Sequence, residues 1–310
     1  MRRLYRAVTL LMVTVWLTAC HSDGVTGPPP LSSSTLVFNQ NDATGYSVLY
    51  SISSDGSNRR QLTPTGSMAV TFAIAPDARH IAVTVAGATN PISILDRNGN
   101  VTQRVPSPSS DIVSLFGGVF DVESWSPDGK LLVGGYNPDQ GEMTTSGGFY
   151  SVAADNMSYR GEFSPDGSRI AFGRSAAHGT EVAVMNADGS NIQMLTSGNG
   201  GAGFPAWSPD GRRIAFTRLT SFSVGTPVPI VIVLMYVMNA DGSGLVQISP
   251  DSVFDTSPTW SPDGQELAVL RSKDSGNNFD IYVMNADGTG AHAITSDGGV
   301  KHWLRWSPKD

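Results

Sequence analysis

Five histidines, a single cysteine and a recurring set of turn aspartates are the side chains of this 310-residue sequence that could do chemistry. His21, His80, His178, His292 and His302 are scattered, and none stands at i, i+4 or beside the cysteine in metal-ligand spacing. The aspartates recur in two phrases, Ser-Pro-Asp-Gly and Asn-Ala-Asp-Gly. Oxygen ligands at fixed spacing could suggest calcium, but the D-x-[DN]-x-[DN]-G loop is absent. Aspartate in such turns ordinarily accepts from nearby backbone N–H groups. No G-x-S-x-G nucleophile elbow occurs. The expectation is a non-enzyme, with no catalytic, metal or cofactor residues.

Cys20 stands apart. Arg2, Arg3 and Arg6 precede eleven uncharged residues, Ala7–Leu17, and "LTAC" follows. The apolar run has signal-peptide length and is too short for a comfortable membrane span. The ending resembles a bacterial lipobox, which implies cleavage before Cys20, lipidation of its thiol and anchoring to a membrane leaflet. As the only cysteine it can form no internal disulfide. Loss of residues 1–19 takes three Arg and no acid from 20 Lys+Arg and 27 Asp+Glu, leaving 17 against 27, a formal charge of −10. That sign, with no basic cluster, argues against nucleic acid. Residues 20–34, small, polar and Pro-rich, read as the lipidated Cys and a flexible tether.

The elements that would position a site are written in repeats. "WSPDG" occurs at Trp125–Gly129, Trp207–Gly211 and Trp260–Gly264, "FSPDG" at Phe163–Gly167, and degenerate copies at Ile74–Ala78 and Trp306–Asp310. Six copies of a second turn phrase alternate with these, three of them "NADG". Pro fits the second position of a type I turn, Asp the third and Gly the fourth. Short apolar strands flank every turn, so each unit of about 45 residues holds four antiparallel strands, the size of a propeller blade. The expected fold is all-β: a six-bladed β-propeller over 35–310, with four antiparallel strands per blade. The chain starts on a blade lacking its first strand and ends on a lone first strand. Pairing of "TLVF" with a strand at about His302–Ser307 would close the ring and remove free edges. "VPIVIVLMYVM", Val228–Met238, reads as a lengthened strand whose outer half could leave an apolar partner patch.

The paired phrases "WSPDG…IAF…YVMNADG…LT" resemble the WD40-like Pro-Asp repeats of TolB-type propellers, over nearly the whole of 35–310. TolB itself carries a further N-terminal α/β domain, and here a short tether precedes the first repeat. The resemblance implies a non-catalytic cell-envelope lipoprotein whose propeller binds an envelope protein or peptide. With the lipobox, it implies anchoring at the outer membrane facing the periplasm, or at the cell surface. The residues just before each "WSPDG" read as loops lining the channel mouth. There Asp121, Glu123, Tyr159, Arg160, Glu162, Phe204, Asp255, His302, Trp303 and Arg305 mix aromatics with both charges, which suits a peptide, protein or glycan. The alternatives are an enzyme acting on an oligosaccharide in the channel and a small-ligand sensor.

Overall fold

The computed structural model describes residues 32, 34–85, 92–105, 120–129, 131–135, 142–146, 151–153, 157–177, 179–198, 201–222, 230–272 and 278–308. Cys20, the leader and most of the tether lie outside them.

All regular structure among the described residues is β, arranged as six four-stranded antiparallel sheets. Sheet I holds Thr35–Asn41, Ser47–Ser53 and Arg60–Gln61, with Lys301–Trp306 as its first strand. Sheet II holds Ala69–Ile74, His80–Val85, Ile92–Asp96 and Val101–Arg104. Sheet III is Phe120–Trp125, Leu131–Gly135, Glu142–Ser146 and Ser151–Ala153. Sheet IV is Met157–Phe163, Arg169–Ala176, Gly179–Asn186 and Gln193–Met194. Sheet V is Ala202–Trp207, Arg213–Phe222, Ile230–Asn239 and Val246–Gln247, and sheet VI is Phe254–Trp260, Glu266–Ser272, Asp280–Asn285 and His292–Ala293. First strands of neighbouring sheets touch in chain order, and Lys301–Trp306 touches Ala69–Ile74, so the array is a ring, a β-propeller. Its seam is the pairing of Lys301–Trp306 with Thr35–Asn41, Leu36 opposite Trp306 and Phe38 opposite Leu304.

The second strands are buried on both faces, as Ile170, Ala171 and Phe172 are. Both faces of a sheet are covered by neighbours, so these strands read as continuous apolar runs instead of alternating ones. The apolar core is divided among the seams. One cluster joins Phe216 and Ile214 of sheet V to Ala171 and Val184 of sheet IV, and another joins Leu304 and Phe38 of sheet I to Leu270 and Ile281 of sheet VI.

The repeated phrases tie the sheets together. In Ser-Pro-Asp-Gly the serine hydroxyl donates to the aspartate two residues on, at 2.6 Å for Ser164–Asp166, Ser208–Asp210 and Ser261–Asp263. It also accepts the N–H five residues on, from Arg169, Arg213 and Glu266. In Asn-Ala-Asp-Gly the aspartate accepts both the backbone N–H and the hydroxyl of the Ser or Thr two residues later. The hydroxyls that close "QLT", "MLT", "QIS" and "AIT" accept a backbone N–H fourteen residues earlier, at Leu49, Val182, Met235 and Ile281. The third strand is thereby capped just past the end of the fourth.

The glycine of the second turn phrase also sets the spacing between sheets. Gly288 has φ +85°, and a Cβ there would lie 2.1 Å from the Ile248 carbonyl oxygen of sheet V. Gly288→Ala therefore combines left-handed strain with a backbone clash. It should cost about 2–4 kcal/mol in urea unfolding. Gly45→Ala has the same φ sign and nothing within 4 Å, so it should lose only the strain, about 1–2 kcal/mol. Equal losses in the two variants would remove the clash from the account.

Acid should loosen the turns. Hydrogen bonds from the Ser164 hydroxyl, and then from the Ser168 N–H and hydroxyl, hold the Asp166 carboxyl down at about 2, against an ordinary 3.8. A lowered folded-state value stabilises above the ordinary one and is lost as pH falls through the folded one. Melting temperature should drop between pH about 4 and about 2, and less steeply in Asp166→Asn. Parallel curves for the two proteins would count against a role for this turn.

The expected long strand is present. Arg213–Phe222 and Ile230–Asn239 pair through ten residues each, from Arg213–Asn239 to Phe222–Ile230. Leu219 near its tip is 41% exposed.

Candidate functional site: the channel

The stretches expected as mouth loops are strands. "FDVES", "MSYRGE", "GAGFPA", "FDTSPT" and "KHWLR" fall within or overlap the first strands of sheets III to VI and I, so their residues are spread along the channel wall. Most of these strands have a register shift just before the aromatic of the motif, for example between Gly203 and Ala206 and between Thr256 and Thr259. At two of the shifts a non-glycine residue takes a left-handed conformation, Phe204 (φ 54°) and Ser257 (φ 52°). Strain of this kind persists only where the surroundings impose it.

One cavity of about 570 Å³ opens at the Ser-Pro-Asp-Gly end and is lined from all six sheets. Its rim carries the six motif prolines, Pro76, Pro127, Pro165, Pro209, Pro262 and Pro308. Inside the rim lie Ile74, Trp125, Phe163, Trp207, Trp260 and Trp306. Three of the four indoles are locked in place by hydrogen bonds. Trp125, Trp207 and Trp260 Nε1 donate at 3.1 Å to carbonyls of the preceding first strand, those of Ala73, Glu162 and Ala206. The guanidinium groups of Arg169 and Arg213 lie 4.8 and 4.5 Å over the Trp207 and Trp260 rings. These tryptophans thus join neighbouring sheets and also line the cavity.

The residue before Ile74 and before each of the five motif aromatics forms the next layer down. In five of the six repeats it lines the cavity: Ala73, Ser124, Glu162, Thr259 and Arg305. Ala206 holds the sixth position. Four of the six are small or short, and the two charged ones face each other. Sheets IV and I stand three places apart in a ring of six, so the Glu162–Arg305 ion pair, 3.8 Å between Oε2 and Nη2, crosses the channel. Glu162 Oε1 also accepts the Trp207 N–H at 3.1 Å. Deeper still, Phe204 of sheet V and Trp303 of sheet I meet with ring centroids 5.7 Å apart. The cavity is a funnel with a charged floor and an aromatic plug beneath it.

Of the ten residues named from sequence, Glu162 and Arg305 line this funnel, and Phe204 and Trp303 meet below it. Asp255 faces no mouth. It is buried in sheet VI, where Arg271 Nε and Nη2 donate to its two carboxylate oxygens at 2.7 Å each. Burial raises its carboxyl above the ordinary range despite the arginine. His302 is exposed, with Nε2 3.1 Å from Asn41 Oδ1. Asp121 and Glu123 are half-buried in the first strand of sheet III, and Asp121 Oδ1 accepts from Thr71. Tyr159 and Arg160 lie on the first strand of sheet IV, and their side chains fall outside the described part. The motif tryptophans, which bridge neighbouring sheets, and the turn prolines also surround the cavity, a placement that local turn chemistry does not reveal. Among the described residues, no three His, Cys, Asp or Glu side chains are grouped so as to hold a metal ion.

No protein-family model matches the chain. It is 31% identical to the Tol-Pal system protein TolB of Alcanivorax borkumensis over 114 residues, 37% of this chain and 24% of that protein. With the TolB homolog of Chlorobium chlorochromatii it shares 30% identity over 205 residues, 54% of this chain and 44% of the other. The matched region is therefore less than half of these relatives' length. The crystal structure of TolB from Acinetobacter baumannii superposes with a TM-score of 0.72 at 19% identity, covering 92% of this chain and 69% of that one. This chain's β-propeller fold is like that of TolB. The same fold also supports chemistry elsewhere: an oligogalacturonate lyase in complex with manganese superposes at a TM-score of 0.52 and 18% identity, over 84% of this chain and 73% of the lyase.

Proposed function

We propose that this TolB-like propeller, counted as six blades with one sheet each, is a non-catalytic binding module of the bacterial cell envelope. It holds a protein or peptide partner in the funnel and is tethered to the outer membrane by lipid on Cys20. The observation that carries the reading is the funnel itself. All six sheets contribute to one open cavity with a rigid proline rim, aromatic walls and a charged floor. Fixed rings and prolines lose little conformational freedom on contact, which favours binding over a broad polar loop surface. The similarity to Tol-Pal system proteins supports an envelope partner.

Crosslinking in intact cells of the native source tests the reading, with the wild type beside the rim variant Pro76→Arg/Pro209→Arg. Both prolines are exposed at the rim, so the variant should fold. One envelope protein captured by the wild type and lost in the variant is the expected result. Identical captures by both would overturn the funnel as the binding face. Cys20→Ser should move the protein from the membrane fraction to the soluble fraction, and an unchanged distribution would remove the lipid anchor.

A further inference from the structure

The charged floor of the funnel is unequal. Glu162 accepts a hydrogen bond from the Trp207 N–H at 3.1 Å. Arg305 is less well provided for. Its side chain is 14% exposed, and its nearest carboxylate oxygen stands at 3.8 Å, beyond hydrogen-bond reach. Its one hydrogen bond among the described residues is long, Nη1 to the Leu304 carbonyl at 3.4 Å. A guanidinium carries five N–H donors in a planar fork. Arg305 therefore brings spare donors to the base of a cavity whose walls are proline and aromatic residues.

The hydroxyls around it are few and each already makes at least one hydrogen bond. Ser124 Oγ accepts the Phe163 N–H, and Thr259 Oγ1 accepts the Trp306 N–H. The hydroxyls of Ser164 and Ser261 donate to Asp166 and Asp263. A sugar would need many such partners for its own hydroxyls and would find few. An apolar segment carrying one carboxylate would meet the walls with carbon and the guanidinium with a bidentate, charge-assisted pair.

We infer that the funnel is a carboxylate receptor for peptide: a carboxylate on an apolar, Pro-compatible segment enters past the proline ring and pairs with Arg305. The inference rests on the funnel being the binding face and specifies its ligand. The carboxylate could be a chain terminus or an Asp or Glu side chain, since both offer the same fork of oxygens.

Quenching of the funnel tryptophans is a direct readout. The probes are acetyl-Leu-Pro-Leu as free acid, the same peptide as C-terminal amide, acetyl-Leu-Asp-Leu amide and trigalacturonate. The free acid or the Asp peptide should bind about 10- to 100-fold more tightly than the neutral amide, the worth of a charge-assisted pair. Preference for the acid assigns a chain terminus, and preference for the Asp peptide assigns a side chain. Arg305→Gln should erase the difference, while Arg305→Lys, which keeps the charge, should retain part of it. Melting temperatures of both variants control for folding. Equal binding of acid and amide, no quenching by any peptide at millimolar concentration, or tighter binding of trigalacturonate would overturn the inference. If the rim variant loses the cellular partner and Arg305→Gln keeps it, the binding face stands and the carboxylate pairing falls.

Discussion

A chain ended at Val300 is expected to lose cooperative folding. The cut removes Lys301–Trp306, the strand that joins sheet VI to sheet I. It takes Leu304 and Trp306 out of the seam cluster with Phe38, Leu270 and Ile281. Burial of two such side chains stabilises by roughly 1.5–3 kcal/mol each. The ladder bonds to Thr35–Asn41 add about 1 kcal/mol apiece. Together these approach the roughly 5–15 kcal/mol total of an ordinary domain. The cut also uncovers the paired edge of Thr35–Asn41, which invites association. The expected result is a broad, non-cooperative melt with soluble aggregates in size-exclusion chromatography. A sharp melt within a few degrees of the full chain's would mean that the ring does not depend on this strand.

Asp297→Ala should be the most damaging single substitution at the same seam. The Lys301 ammonium is wholly buried and donates to Asp297 Oδ1 at 2.6 Å and to the Phe279 carbonyl at 2.8 Å. Asp297 also receives Arg59 at 2.7 Å and Gln40 at 3.1 Å, so one carboxylate links three stretches of sheet I. Burial by itself would raise its carboxyl, but the bonds from Lys301, Arg59 and Gln40 hold it well below the ordinary range. Removing the carboxylate leaves a buried ammonium with one carbonyl, a loss of about 3–5 kcal/mol. Lys301→Met keeps the stem in its slot and leaves Asp297, a third exposed, with Arg59. It should cost about 1 kcal/mol or less. The double variant Asp297→Ala/Lys301→Met should recover most of the loss. Urea unfolding of the three proteins measures this. A double variant as weak as Asp297→Ala would show that the uncompensated ammonium is not the source of the loss.

The two charged seams illustrate what pattern reading misses. Lys301 and Asp255 stand in short polar stretches beside the motifs and look like solvated mouth residues. Lys and Asp are almost never fully buried unless paired. Lys301 pairs with Asp297 four residues before it and with the Phe279 carbonyl 22 residues away, and Asp255 pairs with Arg271 on the next strand. Register, and hence the pairing, emerges once the strands are laid side by side.

The funnel floor lies between these cases. Aligned on their motif aromatics, the repeats put Ala73, Ser124, Glu162, Ala206, Thr259 and Arg305 at one position. Two charges among four small or short residues is a signal present in the sequence, visible at aligned positions and hidden by charge density along each stretch. Even so, the repeat alignment alone does not bring Glu162 to Arg305. They are joined because the ring closes with their sheets opposite.

The sequence by itself determined the turns, the strands around them, the repeat unit and the closing partner of the first strand. All of these depend on local chemistry: proline and glycine dihedrals, aspartate bonds to the next two residues, and apolar runs between turns. Only the tertiary structure decided which first-strand residues face the channel, that Trp and Pro form its wall, and that Glu162 and Arg305 meet across it. The reason is geometric. A bulged strand changes which side chains point inward, and six sheets must stand in a ring before residues about 140 positions apart share a cavity.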